Sequence, residues 1–380
     1  MQTRTHLYRG GQWNPPLGSD LDSASTLVLV FGARAMVQPE PYAELRAAFP
    51  LALLAGCSTS GEILRGALHD DSIVVAVVRF EDSRVSCVSA SADQDAMDAG
   101  RALATALPSN ELRAVLVFSD GSRVNGSRLV AGLAAHLPEE VAISGGFAGD
   151  GVRFESTWVL DGDRPTERRI AAVGLHGPRV RVRHGSRGGW SGFGPERLVT
   201  RAEGNVLYEL DGRPALQLYK DYLGERQRDL PAAALVFPLS VREADRRHYV
   251  RTILSYDEAT QSMTFAGDIP LGSHVQLMRG NLDRIVGGAA EAAEALGAGQ
   301  GGTTGAPTDR GRALCLAVTC VGRRMMLRER AEEELEAVAE WLPEDTHLVG
   351  FYSYGEISPL GDGTCGLHNQ TMTLTLLEEA

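Results

Sequence analysis

Lysine is almost missing from this chain: Lys220 is the sole one among 37 basic residues, and arginine supplies the rest. Acidic side chains number 49, and the formal net charge is -12. A nucleic-acid backbone is therefore not an expected partner, and solubility is favoured. Cysteine is sparse. Cys57, Cys87, Cys315, Cys320 and Cys365 form no CxxC pair, and five is an odd number, which argues against a disulfide framework. Long apolar runs are missing too: the longest, Ile73 to Val78, is far too short to span a bilayer. The first residues, Met1 to Leu7, contain no apolar h-region, so no signal peptide is expected. These absences lead to an expectation of a soluble, reduced, cytoplasmic protein without membrane partners.

What is present is an ordinary apolar fraction, 43% of 380 residues, sufficient for a packed core and two domains. Residues 1–24 carry Gly, Pro, Asn and Ser with little periodicity and read as an irregular lead-in. Thr26 to Phe31 and Leu51 to Ala55 read as buried strands around a helix from Pro39 to Phe49. A helix from about Asp93 to Leu107 takes Asp93 as its cap. Strand, helix and strand then recur at Ala114 to Phe118, Gly126 to Leu137 and Val141 to Ile143. The C-terminal part shows the same order: helix Leu282 to Leu296, strand Ala313 to Thr319, helix Arg328 to Leu342, strand His347 to Phe351. The pattern predicts an α/β protein of two related halves, with mixed sheets, helices and internal duplication. The expected domains are 25–220 and 221–380. Residues 297–307, rich in glycine, read as a surface loop without the lysine of a phosphate-binding loop.

The strongest signal is an echo. Ala55-Gly-Cys-Ser-Thr-Ser-Gly-Glu-Ile63 and Val349-Gly-Phe-Tyr-Ser-Tyr-Gly-Glu-Ile357 share one plan at opposite ends of the chain, and Ile143-Ser-Gly-Gly-Phe-Ala-Gly-Asp150 is a weaker third copy. Each reads as a strand ending at a glycine, then a short loop closed by glycine and an acid. Glycine permits close backbone approach, and the acid supplies a fixed charge.

These loops resemble the FIST family of signal-transduction sensors. Gly56 to Ile63 is similar to its N-terminal signature, and Ser144 to Asp150 to a second motif. Tyr208 to Ala215 and Phe265 to Pro270 fit its middle. Gly350 to Pro359 and Leu367-His-Asn-Gln-Thr371 resemble its C-terminal signature. The resemblance, from about residue 25 to 377, implies a sensory module for small ligands, with amino acids as the proposed class. The chain has no room for an output domain, so a separate signalling protein such as a histidine kinase is implied. Some stand-alone relatives resemble haem-containing nitric-oxide sensors. Here Gln370 stands where a second histidine is common, which weakens a paired-histidine metal site, and no cofactor is expected unless haem is bound.

An amino acid presents an ammonium and a carboxylate. Glu62, Asp150 and Glu356 are candidates for the ammonium. Arg323 or Arg324 suits the carboxylate through a guanidinium fork. Ser58, Thr59, Gly61, Gly149, Tyr352, Tyr354 and Gly355 complete the candidate pocket at the strand ends. The alternative is that the acids merely bond backbone amides in tight turns. His368, beside Asn369, is either a haem ligand or a hydrogen-bonded anchor of the last strand. Cys57 is either a hydrolase nucleophile with His368 as base, or a small buried packing residue. The acidic helix from Glu329 to Glu340 reads as a solvated face over a stripe of Ala331, Leu335, Val338 and Trp341.

Overall fold

The computed structural model describes residues 1–230, 232–244, 248–297, 312–360 and 363–380. Beyond Gly297 the glycine-rich segment lies outside the described residues.

Three successive units share one strand plan. In the first, Gln2–Arg9 pairs with Ile73–Arg79, which pairs with Thr26–Ala33, which runs parallel to Leu53–Thr59. The second repeats this with Arg84–Ser91, Arg169–His176, Leu112–Ser119 and Ala142–Phe147. The third uses Val180–Arg187, Met372–Glu379, Ala313–Cys320 and Thr346–Ser353. In each unit only the last two of these four strands are parallel. Their connection carries a helix, Pro39–Ala48, Gly126–Ala134 or Ala331–Ala339, because parallel neighbours need a crossover.

Each unit then lends a hairpin to another. Glu62–Leu64 and Ala67–His69 extend the third sheet through Phe351↔Glu62 and Gly350↔Ile63. Trp158–Asp161 and Arg164–Glu167 extend the first sheet through Val159↔Cys57. Gly355–Pro359 and Cys365–His368 extend the second through Gly146↔Glu356. The loan is cyclic, so the sheets interlock around a pseudo-threefold axis. Their inner faces share one core, where Phe31 lies 4.8 Å from Phe351 and 5.7 Å from Phe118, ring centre to ring centre. Between Val180–Arg187 and Leu282–Glu294 a further unit is inserted. It has its own sheet, the helix Ala215–Leu223 and a core that includes Leu207, Leu216, Tyr219 and Phe265.

Mixed sheets flanked by helices are the expected class. The repeat is finer than the pattern suggested, three copies instead of two, because the inserted unit stretches the spacing of the last copy. The lead-in also differs from expectation. Gln2–Arg9 is an inner strand whose Thr3, Thr5 and His6 are buried. Polar residues on the buried face gave it no apolar alternation to read. The cap of Ala96–Ala106 is Asp95, not Asp93: its Oδ1 accepts from the N–H of Met97 at 2.9 Å and of Asp98 at 3.2 Å. The helix expected from Arg328 to Leu342 is Ala331–Ala339, and a separate helix, Val321–Leu327, precedes it and carries Arg323 and Arg324.

Candidate functional site

Gly56, Gly145 and Gly350 hold the same register place, opposite Val30, Val117 and Ala317. A Cβ there would lie 1.8, 2.0 and 1.8 Å from the carbonyl oxygen of that partner. The glycines therefore mark close strand contact, and the strands do not end at them. They run on to Thr59, Phe147 and Ser353. At the axis the three ends bond one another in a ring. Gly149 N donates to Ser58 O at 2.9 Å, Ser60 N to Tyr352 O at 2.8 Å, and Tyr354 N to Phe147 O at 3.1 Å.

Glu62 and Glu356 follow this ring at equivalent places and are 1% and 0% exposed. Thr59 Oγ1 and Ser72 Oγ, the latter at 2.6 Å, donate to Glu62. Ser353 Oγ at 2.8 Å and Thr371 N at 3.2 Å donate to Glu356. Both carboxyls are thus held by a hydroxyl three residues upstream and by the residue that precedes the closing strand. Among the described residues neither forms an ion pair. Burial pushes Glu62 up to about 7 and Glu356 up to about 8, against the pull of these hydrogen bonds. Asp150 is different. It stands one place earlier, in register with Gly61 and Gly355, and accepts from the N–H of Phe154, Glu155 and Ser156 at 2.9, 3.0 and 3.1 Å. Tyr354 OH also donates to it, and the Tyr354 ring stacks on Phe154 at 4.4 Å. Asp150 thus organises a turn, as the alternative reading had it.

The structure corrects the carboxylate role of Arg323. Its Nε and Nη2 bind Glu334 Oε2 at 2.9 and 2.6 Å, and its remaining bonds go to the carbonyls of Ile285, at 2.8 Å, and Gly188. Tyr352 OH donates to the other oxygen of Glu334 at 2.8 Å. Arg323, Glu334 and Tyr352 form a buried structural triad, so Glu334 departs from the solvated face expected of its helix. Trp341 is only partly covered, unlike Ala331, Leu335 and Val338. Arg324 does meet the ring. It donates to Ser60 O and grips Asp70 at 2.9 and 2.6 Å.

His368 is partly buried, and its Nε2 lies 3.1 Å from the carbonyl of Ser358. Burial draws its pKa down to about 4, so the imidazole is neutral. Nε2, which an iron atom would need, is already engaged, so the residues as placed do not fit a haem. Cys57 is fully buried in the axial core, in register with Phe31. Burial pushes its thiol well above the ordinary value. His368 belongs to a different sheet, so the thiol–imidazole pair needed by a hydrolase is not formed.

Sequence reasoning missed the seam between this ring and the inserted unit. Asn369 Oδ1 accepts from Thr252 N at 3.2 Å. Gln370 Nε2 donates to Leu235 O at 2.8 Å and Thr252 Oγ1 at 3.1 Å, and Trp190 Nε1 donates to Gln370 O at 3.0 Å. Backbone partners fix both amide orientations. Asn369 Nδ2 and Gln370 Oε1 are left buried without a partner, as is Thr319 Oγ1 at the end of its strand. Gln370 adopts φ 62, as Asp71 and Arg168 do at φ 51 and 57 in the other units, a shared backbone sign that no side-chain identity announces.

Fold and site together define an α/β protein whose strand ends converge on buried acids. The chain belongs to the FIST family: the FIST N domain matches residues 26–213 and the FIST C domain residues 215–359. These consecutive domains fit the expected two-part chain, and the family is associated with signal-transduction sensing. The uncharacterised protein MJ1623 of Methanocaldococcus jannaschii is 24% identical over 349 residues, covering 81% of this chain. The match covers 64% of that protein's length, a little under two thirds. A crystal structure of cyanuric acid hydrolase from A. caulinodans aligns over 100% of this chain and 99% of its own at 9% identity. Its TM-score of 0.36 carries no argument. Among the described residues no helix is long and apolar enough to cross a membrane.

Proposed function

We propose that this protein is a sensor that binds a small cationic or zwitterionic metabolite, an amino acid being the simplest, at the strand-end ring. It would pass the signal to a separate protein. One observation carries this reading. Glu62 and Glu356 recur at equivalent strand ends, buried and held by hydroxyls and an amide, with no ion-pair partner among the described residues. A buried acid without a counter-charge favours its neutral form, and an arriving ammonium reverses that preference. Residues 369–371 connect Glu356 to the inserted unit, so ligand occupancy would bias how that unit packs.

The reading has a pH signature. Ser353, Thr371 N, Arg323 and Cys320 face Glu356 and favour its charged form, yet burial still holds it near 8. Ammonium binding releases that proton. Affinity for an amino acid should therefore rise up to about tenfold per pH unit as pH climbs toward about 8. A thermal-shift screen against amino acids and small organic acids is the test. The expected result is a shift with one amino-acid class, lost in Glu356→Gln. A ligand whose shift survives that substitution at every pH removes the acid from the site.

A further inference from the structure

Arg251 is 5% exposed, at the end of strand His248–Arg251 in the inserted unit. The other buried arginine, Arg323, has Glu334. Arg251 has no carboxylate within ion-pair distance among the described residues. Its Nε donates to Asp268 O at 3.3 Å, and Nη1 to Val250 O at 3.2 Å and Leu367 O at 3.1 Å. Nη2 donates to Ser127 Oγ at 3.1 Å. A guanidinium carries five N–H groups, so one on Nη2 remains without an acceptor among the described residues. Neutral oxygens solvate the charge but do not cancel it, and a buried uncompensated charge is costly.

The surroundings lack the same thing. Ser127 Oγ accepts from Arg251 and from Asp268 N at 3.1 Å, which leaves its own proton to donate. Ser127 is the second residue of the helix Gly126–Ala134, so the positive end of that helix adds to the charge of Arg251. On the adjoining strand end Asn369, 1% exposed, has an amide N–H without an acceptor. Three unused hydrogen-bonding groups at this seam are donors, beside one unused acceptor, Gln370 Oε1. Tyr249, partly exposed, covers the guanidinium with its ring at 4.1 Å. Burial draws the Arg251 pKa down to about 10, and Tyr249, Asp268 and Glu243 offset that only in part.

We propose that this seam is an anion site for a small carboxylate, whose oxygens take the free Nη2 proton of Arg251 and the hydroxyl proton of Ser127. These donor atoms adjoin at 3.1 Å, a spacing that suits the two oxygens of one carboxylate. The site stands apart from Glu356 and does not depend on the ammonium reading. It joins the second unit through Ser127, the inserted unit through Arg251 and the third unit's hairpin through Leu367. An anion there clamps the inserted unit to the axial ring.

Thermal unfolding of the whole chain in sodium acetate or sodium succinate, against sodium chloride at equal ionic strength, tests this. The melting temperature should rise with carboxylate concentration and not with chloride. Ser127→Ala keeps Arg251 and should weaken the carboxylate response about tenfold, the worth of a hydrogen bond to a charged group. Arg251→Gln should abolish the response; if that variant does not fold, Ser127→Ala decides. Equal responses to acetate and chloride in the unaltered protein overturn the proposal. So does an unchanged carboxylate response in Ser127→Ala.

Discussion

Glu356→Gln isolates the electrostatics of the ring. The neutral isostere still accepts from Thr371 N, 3.2 Å from the present oxygen, and its amide still reaches Ser353 Oγ, 2.8 Å from the other. What changes is the titration. Burial lifts the folded carboxyl from 4.5 to about 8, so between these values the folded state binds more protons than the unfolded one. Unfolding free energy then falls as pH rises, by about 1.4 kcal/mol per unit through the middle of that window. From about pH 5 to about pH 8 the loss is roughly 3 kcal/mol, fully restored below the unfolded value. Glu62, lifted to about 7, adds the same sign over its own window, but it is present in both proteins and cancels. The histidines with lowered pKa, His6, His69, His176, His184 and His368, act in the opposite direction below 6.5 and cancel likewise. Urea unfolding of both proteins at several pH values reads the difference. The variant should match the parent within about 1 kcal/mol near pH 5 and exceed it by roughly 3 kcal/mol near pH 8. A difference that does not vary with pH refutes the assignment of a buried neutral acid.

Gly350→Ala puts a methyl 1.8 Å from the carbonyl oxygen of Ala317 and should cost about 3 kcal/mol or more in urea unfolding, since backbone must move to admit it. Arg323→Met and Glu334→Gln each strand a buried partner and should destabilise by about 3–5 kcal/mol. The double variant should lose clearly less than their sum, and strict additivity would show that the pair does not interact. Thiol titration of the native protein with a disulfide reagent should modify exposed Cys87 first, while buried Cys57, Cys315 and Cys320 react only after denaturation. Rapid native reaction of Cys57 would contradict its place in the axial core.

The echo of Gly56 to Glu62 in Gly350 to Glu356 was legible because one steric demand, close strand approach, and one buried acid recur in both copies. The second unit was harder to read. Its acid sits one place earlier and caps a turn, so Asp150 imitates the motif without sharing the role. The pairing of Gly146 with Phe351 and Val318 shows why the copies diverge. A Cβ at Gly146 would lie 2.6 Å from Val318 Cγ1 and 3.4 Å from Phe351 Cζ, so a large residue in one unit requires a small one in the next. Cys57 is small in the same place beside Phe31, and that is a packing reason for a residue that looked like a nucleophile.

By itself the sequence determined the α/β class, the strand–helix–strand order, the glycines at the strand crossings and the acids that follow them. Those features depend on local periodicity and on backbone space, and a single chain segment expresses both. Only the tertiary structure decided that the units number three, that each lends its hairpin to another, and that Gln2–Arg9 is an inner strand. It alone gave Arg323 to Glu334 and left Arg251 without an ion-pair partner among the described residues. These outcomes rest on contacts between residues far apart in the chain, such as Arg251 with Ser127 and Leu367, whose spacing carries no periodic signal. A charge is paired or unpaired by what folding brings beside it.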